Sequence, residues 1–307
     1  VDYYLTAGGE VAAKTGDIKL TKSIALLANP GERPTLYIRE GCFNVKPESG
    51  NMPDIEYFVV DNVNIKETWT DSKPSKGSKT RLLNIGKHDA GTDFTIDRFE
   101  ITNSDIVLPS AVLMMSDASE GVTTINHIRI DNCLVSGINT SAVSKQFGFI
   151  HAINKGSNVW NDVSVTNSTF YEFYISPGVF GAPTADVPIA AGNKVVISNC
   201  TFYNWGSNKD GKNTYRAVGN FSKLTTPLNL SVSNCVFGSS KSKVLDAGGI
   251  NLSSKGNYCT SDFEKMSDAG LTLISLDTDD ASLFRNIEEN DFTVIDAESV
   301  IYKSEYG

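Results

Sequence analysis

An eight-residue pattern recurs along this chain and leaves it very few folds. Val163-Ser164-Val165-Thr166-Asn167-Ser168-Thr169-Phe170 is followed by Val195 to Phe202 and by Leu230 to Phe237. Before it stand Phe99 to Ile106 and Ile128 to Val135, with a weaker copy from Phe58 to Ile65. The shared pattern is apolar-x-apolar-polar-Asn-small-x-apolar. Copies returning at roughly 30–40-residue intervals are the mark of stacked structural units, each too small to bury its own apolar face.

The asparagine explains the shape of each unit. Asn tolerates the left-handed backbone region that a tight corner needs. With the inward set taken as the positions four and two residues before it, and one and three after it, the alternation changes phase there. That phase change keeps one face inside while a strand turns a corner. Stacked Asn side chains can bond one another and the corner backbone, which would otherwise be left unpaired. Beyond each corner a variable loop leads to another short strand. These strands lie near Arg81–Ile85, Ala111–Met115, Phe147–Ile153, Tyr215–Val218 and Lys243–Ala247, with Val187–Ile189 expected in the irregular Asn167 unit. Each unit thus holds three strands, one before the Asn, one after it and one beyond the loop. Residues 260–307 change character: Thr260–Lys265 is a candidate helix start and Asp291–Ile295 alternates as a strand. An open stack needs its last apolar layer and its strand edges covered, and this tail is the expected cap.

Charge and cysteine content narrow the partners. A net charge of -9 disfavours nucleic acid, which selects clustered Lys and Arg. No apolar run reaches membrane-spanning length. The chain opens at Val1 without a charged-then-apolar leader, the expected look of a mature or trimmed chain whose targeting signal would not be visible. Of the five cysteines, Cys133, Cys200 and Cys235 share the position after the Asn, where Ser104 and Ser168 stand in other copies. A column of small buried filler is the expected reading; a disulfide between adjacent coils is an alternative.

The Val-x-Val-x-Asn-Cys/Ser-x-Phe repeat resembles the right-handed parallel β-helix of the pectin-lyase-like superfamily, and its Asn column resembles that family's asparagine ladder. Within it, the array and the tail Ser282-Leu283-Phe284-Arg285-Asn286 followed by Asn290-Asp291-Phe292-Thr293-Val294 are similar to secreted or surface Bacteroidetes β-helix proteins of unassigned function. The resemblance implies an all-β, right-handed, single-stranded parallel β-helix with three short strands per coil over residues 1–259. Residues 260–307 would form a C-terminal cap in the same domain. It also implies a secreted, cell-surface or periplasmic monomer directed at a polysaccharide or oligosaccharide.

In that superfamily the strand after the variable loop lines the substrate groove. A polysaccharide lyase needs a base for the proton alpha to a uronate carboxylate and a counter-charge for that carboxylate, often Ca²⁺ held by carboxylates. His151, Arg216 and Lys155 are the candidate catalytic residues, and Asp117 and Asp246 the candidate Ca²⁺ ligands. Trp69, Arg81, Tyr174, Trp205 and Tyr215 are the candidate sugar contacts, since a pyranose face stacks on an aromatic ring. Each has a plainer reading beside it: His151 lies in an apolar strand, Arg216 can cover Tyr215 with its stem, and the two aspartates can cap turns. The sequence lacks the Asn-Thr-Asp, His-Gly and Arg-Ile-Lys elements of polygalacturonases and the Arg-x-Pro-x-Arg element of pectate lyases. Two classes therefore remain: a lyase-like enzyme acting on acidic polysaccharide, and a non-catalytic glycan-binding or scaffold β-helix.

Overall fold

The computed structural model describes residues 2–6, 10–12, 17–39, 43–68, 81–108, 112–118, 120–138, 147–153, 155–175, 177–181, 187, 189–205, 215–246, 248–265, 271–295 and 298–303. The described chain is a parallel β-helix of three sheets, and successive strands visit the sheets in turn. The first sheet holds the strands before each Asn, from Asp2–Tyr4 through Asp54–Asp61, Phe94–Thr102, Thr123–Asp131, Asp162–Thr166, Lys194–Ser198 and Leu228–Ser233 to Ile250–Lys255. The second holds the strands after it, including Asn64–Thr68, Thr169–Phe173, Thr201–Tyr203 and Val236–Gly238. The third holds the strands beyond the loops, including Leu83–Ile85, Met114–Ser116, Ile150–Ala152, Phe180–Gly181, Arg216–Asn220 and Lys241–Asp246.

The repeat fixes the register. Phe99 pairs with Phe58 and Ile128, Val163 with Val195, and Val195 with Leu230, so like positions stack directly. All the inward positions of the six copies are buried, none more than 4% exposed. Within this core Phe170, Phe202 and Phe237 form a near-parallel column, with ring centroids 4.9 and 5.2 Å apart. Identical residues stack because a parallel in-register sheet places them about 4.8 Å apart.

The corner chemistry is specific. Asn62, Asn103, Asn132, Asn167, Asn199 and Asn234 all have left-handed backbone, with φ between 49° and 58°. Asn132 donates to Asn103 Oδ1 (2.7 Å), Asn199 to Asn167 Oδ1 (3.1 Å) and Asn234 to Asn199 Oδ1 (3.3 Å). Aspartates fill two rungs: Asn103 donates to Asp61 Oδ1 (2.7 Å) and Asn167 to Asp131 Oδ1 (2.8 Å). Burial pushes the Asp131 carboxyl up, but donation from Thr166, Asn167 and Arg129 outweighs it and leaves the group below its ordinary value.

The small residue after each Asn has a reason beyond size. Ser104, Cys133, Ser168, Cys200 and Cys235 each donate to the carbonyl two residues earlier, at 2.7 to 3.3 Å. Each of these carbonyls also accepts the backbone N–H of the preceding coil's corner Asn, so the hydroxyl or thiol finds a buried acceptor of its own and adds a second bond at the corner. Cys133, Cys200 and Cys235 are buried free thiols. Burial pushes the Cys133 thiol up to about 12 and the Cys200 thiol well above its ordinary value, which removes the reactive thiolate. Cys42 lies outside the described residues.

Three expectations change. In the Asn167 unit the third-sheet strand is Phe180–Gly181, paired with Ile150–His151 and Gly219–Asn220, rather than Val187–Ile189. Glycine is required there: a Cβ on Gly181 would sit 2.0 Å from His151 Nδ1 and 2.6 Å from the Gly148 nitrogen. Thr260–Lys265 holds a strand, Glu264–Lys265, instead of a helix start. The stack also continues past Cys259, because Tyr258–Cys259 pairs with Ile274–Ser275 and Lys241–Ser242 pairs with Glu264–Lys265. Phe263 and Leu271 close the core end. The remaining described residues of the tail pack on the flank of the stack, where Leu276, Leu283, Phe284 and Ile301 cluster with Val236. Its strands Phe284–Asn286 and Asp291–Val294 pair antiparallel.

Candidate functional site

The third sheet, marked by the resemblance as the groove, does not assemble a lyase centre from the residues named for it. His151 is 4% exposed and its Nδ1 accepts from the Gly148 N–H at 3.2 Å. Phe147 packs edge-on against the ring at 5.0 Å. Burial first, then the nearby Arg81 charge, lowers the imidazole to about 3. It is a neutral, packed histidine, consistent with the apolar strand around it.

Arg216 is committed elsewhere. Its Nε donates to Asp246 Oδ2 at 2.7 Å, and a second nitrogen also reaches that oxygen. Lys243 Nζ meets Asp246 Oδ1 at 3.1 Å. Two cations thus already satisfy the Asp246 carboxylate. Arg216 lies two strands from His151 and starts its strand four residues before Asn220, the residue in His151's column. At about 4.8 Å per strand that separation is about 10 Å across the sheet alone. Asp117 and Asp246 lie four strand steps apart, about 19 Å, too far to share an ion. Lys155 is exposed in a turn, and Arg81 donates to Asn84 Oδ1. Among the described residues no three His, Cys, Asp or Glu side chains group as a metal site.

Trp205 moves from expected groove contact to core. It is fully buried, donates Nε1–H to the Lys243 carbonyl at 3.2 Å, and packs on Phe202, Phe237 and Phe263. Its place directly after a left-handed residue, Asn204, turns it inward. Trp69 lies outside the described residues, as does most of the Pro-rich 176–188 stretch.

Tyr174 and Tyr215 are brought together, in company the sequence did not reveal. Tyr174 directly follows the second-sheet strand Thr169–Phe173, and Tyr215 directly precedes the third-sheet strand Arg216–Asn220. A second left-handed column runs along this edge: Gly137, Glu172, Asn204 and Ser239, with φ of 67°, 49°, 52° and 44°. Gly and Asn adopt that conformation readily; Glu does so at a cost. The Glu172 carboxylate lies among Tyr171, Tyr174 and Tyr203. Burial first, then that carboxylate, raises the Tyr171 and Tyr174 hydroxyls above the ordinary phenol value. Asn204 donates toward the Tyr174 oxygen, and Tyr215 lies close enough to Tyr174 to raise it further. Tyr171 and Tyr203 stack at 5.5 Å, and Phe292 of the tail leans on both at 5.4 and 5.6 Å. The result is a half-buried patch in which three tyrosines feel one carboxylate, with the Asn204 amide and Tyr215 beside Tyr174.

No protein family matches the chain, and no curated protein or solved structure matches it. Among the described residues no helix is long and apolar enough to cross a membrane.

Proposed function

We propose that this protein is a carbohydrate-directed parallel β-helix that acts by binding, and that its glycan contact is the tyrosine–Glu172 edge. The observation that carries this reading is Glu172 in a left-handed backbone, amid Tyr171, Tyr174 and Tyr203. Strained non-glycine residues persist where surrounding structure over-determines them and cluster at functional sites. Aromatic faces stack on the apolar face of a pyranose, while a carboxylate and an amide accept and donate to its hydroxyls. The central carboxylate repels uronates, so a neutral glycan fits better than the acidic polymer a lyase would cleave. The lyase reading has weaker support, since His151, Arg216 and the candidate Ca²⁺ ligands lie apart and are committed to other contacts.

A panel of neutral and uronate-containing glycans, read for binding and for absorbance growth in the unsaturated-uronate band, tests this proposal. Binding of a neutral glycan without absorbance growth is expected. Absorbance growth with any uronate polymer would restore the lyase, and absence of binding across the panel would leave the scaffold role.

A further inference from the structure

A buried carboxylate in the tail faces a second carboxylate and no hydrogen-bond donor in good geometry. Asp280 opens the short helix Asp280–Leu283, is 2% exposed, and has no donor to either carboxylate oxygen. Its Oδ1 lies over Gly238, only 2.1 Å from where a Cβ on that residue would be, and Thr260 Oγ1 is 2.9 Å from the same point. Thr260 lies beside the carboxyl without meeting it in hydrogen-bond geometry; its hydroxyl faces the Phe237 carbonyl at 3.5 Å. Asp262, an exposed second carboxylate, is within hydrogen-bond reach of Asp280. Neighbouring Asp279 is already used, accepting from the Ser282 N–H at 2.8 Å.

The backbone holds these groups together. Leu276 N–H donates to Cys259 O at 2.7 Å, and Ser261 N–H to Thr278 O at 2.9 Å, so the tail runs in register beside the last coil. Two carboxylates this close cannot both stay ionised with nothing between them. Oxygen ligands of mixed type, one side open to water, suit a hard and geometrically tolerant cation. Mg²⁺ demands a stricter octahedron and holds its waters more tightly, so it fits less well.

We propose that Asp280 and Asp262, with the Thr260 hydroxyl beside them, form a calcium site that ties the C-terminal segment to the last coils. Waters on the Asp262 side complete the coordination. The segment so tied carries Phe292, which leans on Tyr171 and Tyr203, so the ion steadies one wall of the aromatic edge. The site stands on its own geometry and survives if the glycan reading fails.

Terbium provides the test, because it replaces Ca²⁺ and is sensitised by a nearby tyrosine. Tyr203 feels the charges of both Asp280 and Asp262. Excitation of tyrosine is expected to give saturable Tb³⁺ emission that Ca²⁺ displaces. Asp280→Asn should abolish it, and Asp262→Asn, an exposed change that leaves the core intact, should weaken binding about 10–100-fold. Tyr203→Phe should lose the emission yet keep the Ca²⁺ effect on unfolding. With Ca²⁺ at about 100 times its Kd, the unfolding midpoint of the wild type should rise by roughly 3–8 °C. The proposal is overturned if wild type shows neither emission nor shift, if both persist in the Asp262→Asn protein, or if Tyr203→Phe retains the emission. Each of these outcomes leaves the two carboxyls sharing a proton only.

Discussion

Glu172 is the residue whose substitution separates scaffold from function. Its φ of 49° places a long side chain in the left-handed region that Gly137 occupies one coil earlier. That conformation costs an ordinary L-residue about 1–2 kcal/mol. Glycine removes this cost but adds about 0.4–1 kcal/mol of unfolded-chain entropy. Glu172→Gly is therefore expected to be more stable than Glu172→Ala by about 0.5–1 kcal/mol, since both lose the carboxylate and only alanine keeps the strain. Urea unfolding followed by tryptophan fluorescence suits the measurement, because Trp160 and Trp205 are buried in the stack and report its opening. Both variants should lose glycan binding equally. If the alanine variant is as stable as the glycine variant, or more so, the backbone is not strained at this position. The inference that Glu172 is retained for function would then fail.

Other consequences follow from the core, the corner and the tail. Phe202→Ala opens the aromatic column between Phe170 and Phe237 and should cost about 3–5 kcal/mol in urea unfolding. Cys200→Ser should be nearly neutral, because Ser104 and Ser168 make the same corner bond, and reductant should leave the wild-type midpoint unchanged. Burial and neighbouring Asp262 push Asp280 up to about 8 from an ordinary 3.8. In chelator, its contribution to stability is full below about pH 4, falls as the unfolded chain alone ionises, and is lost above about pH 8. Thr260, Asp262, Asp279 and Tyr203 set that field. Asp280→Asn should flatten this part of the pH profile; an unchanged difference between the two proteins from pH 5 to 8 would contradict it.

The first corner was legible because its backbone demands one residue type. Left-handed φ selects Asn, the ladder rewards its amide, and the inward positions around it are apolar in nearly every copy. The second corner was not legible. Gly137, Glu172, Asn204 and Ser239 share a backbone conformation and no side-chain chemistry, so no pattern marks them. The same blindness misplaced Trp205: polar neighbours suggest a loop, but the turn at Asn204 sends the indole into the core. Tyr174 and Tyr215 are legible as candidate sugar-stacking aromatics, whereas Glu172 carries no local signal apart from the tyrosine before it, Tyr171. His151 illustrates the reverse case, a residue type suggestive of chemistry whose apolar strand and the glycine beneath it, Gly181, give it a packing role.

The most direct measurement is calorimetric titration of the best-bound neutral glycan against wild type, Tyr174→Ala and Arg216→Ala. Loss of one stacking ring worth about 1.4 kcal/mol weakens binding about tenfold. That loss is expected for Tyr174→Ala, and an unchanged Kd for Arg216→Ala, on the third-sheet face. The opposite order, with Arg216 required and Tyr174 dispensable, would place the glycan in the third-sheet groove and contradict the tyrosine-edge reading.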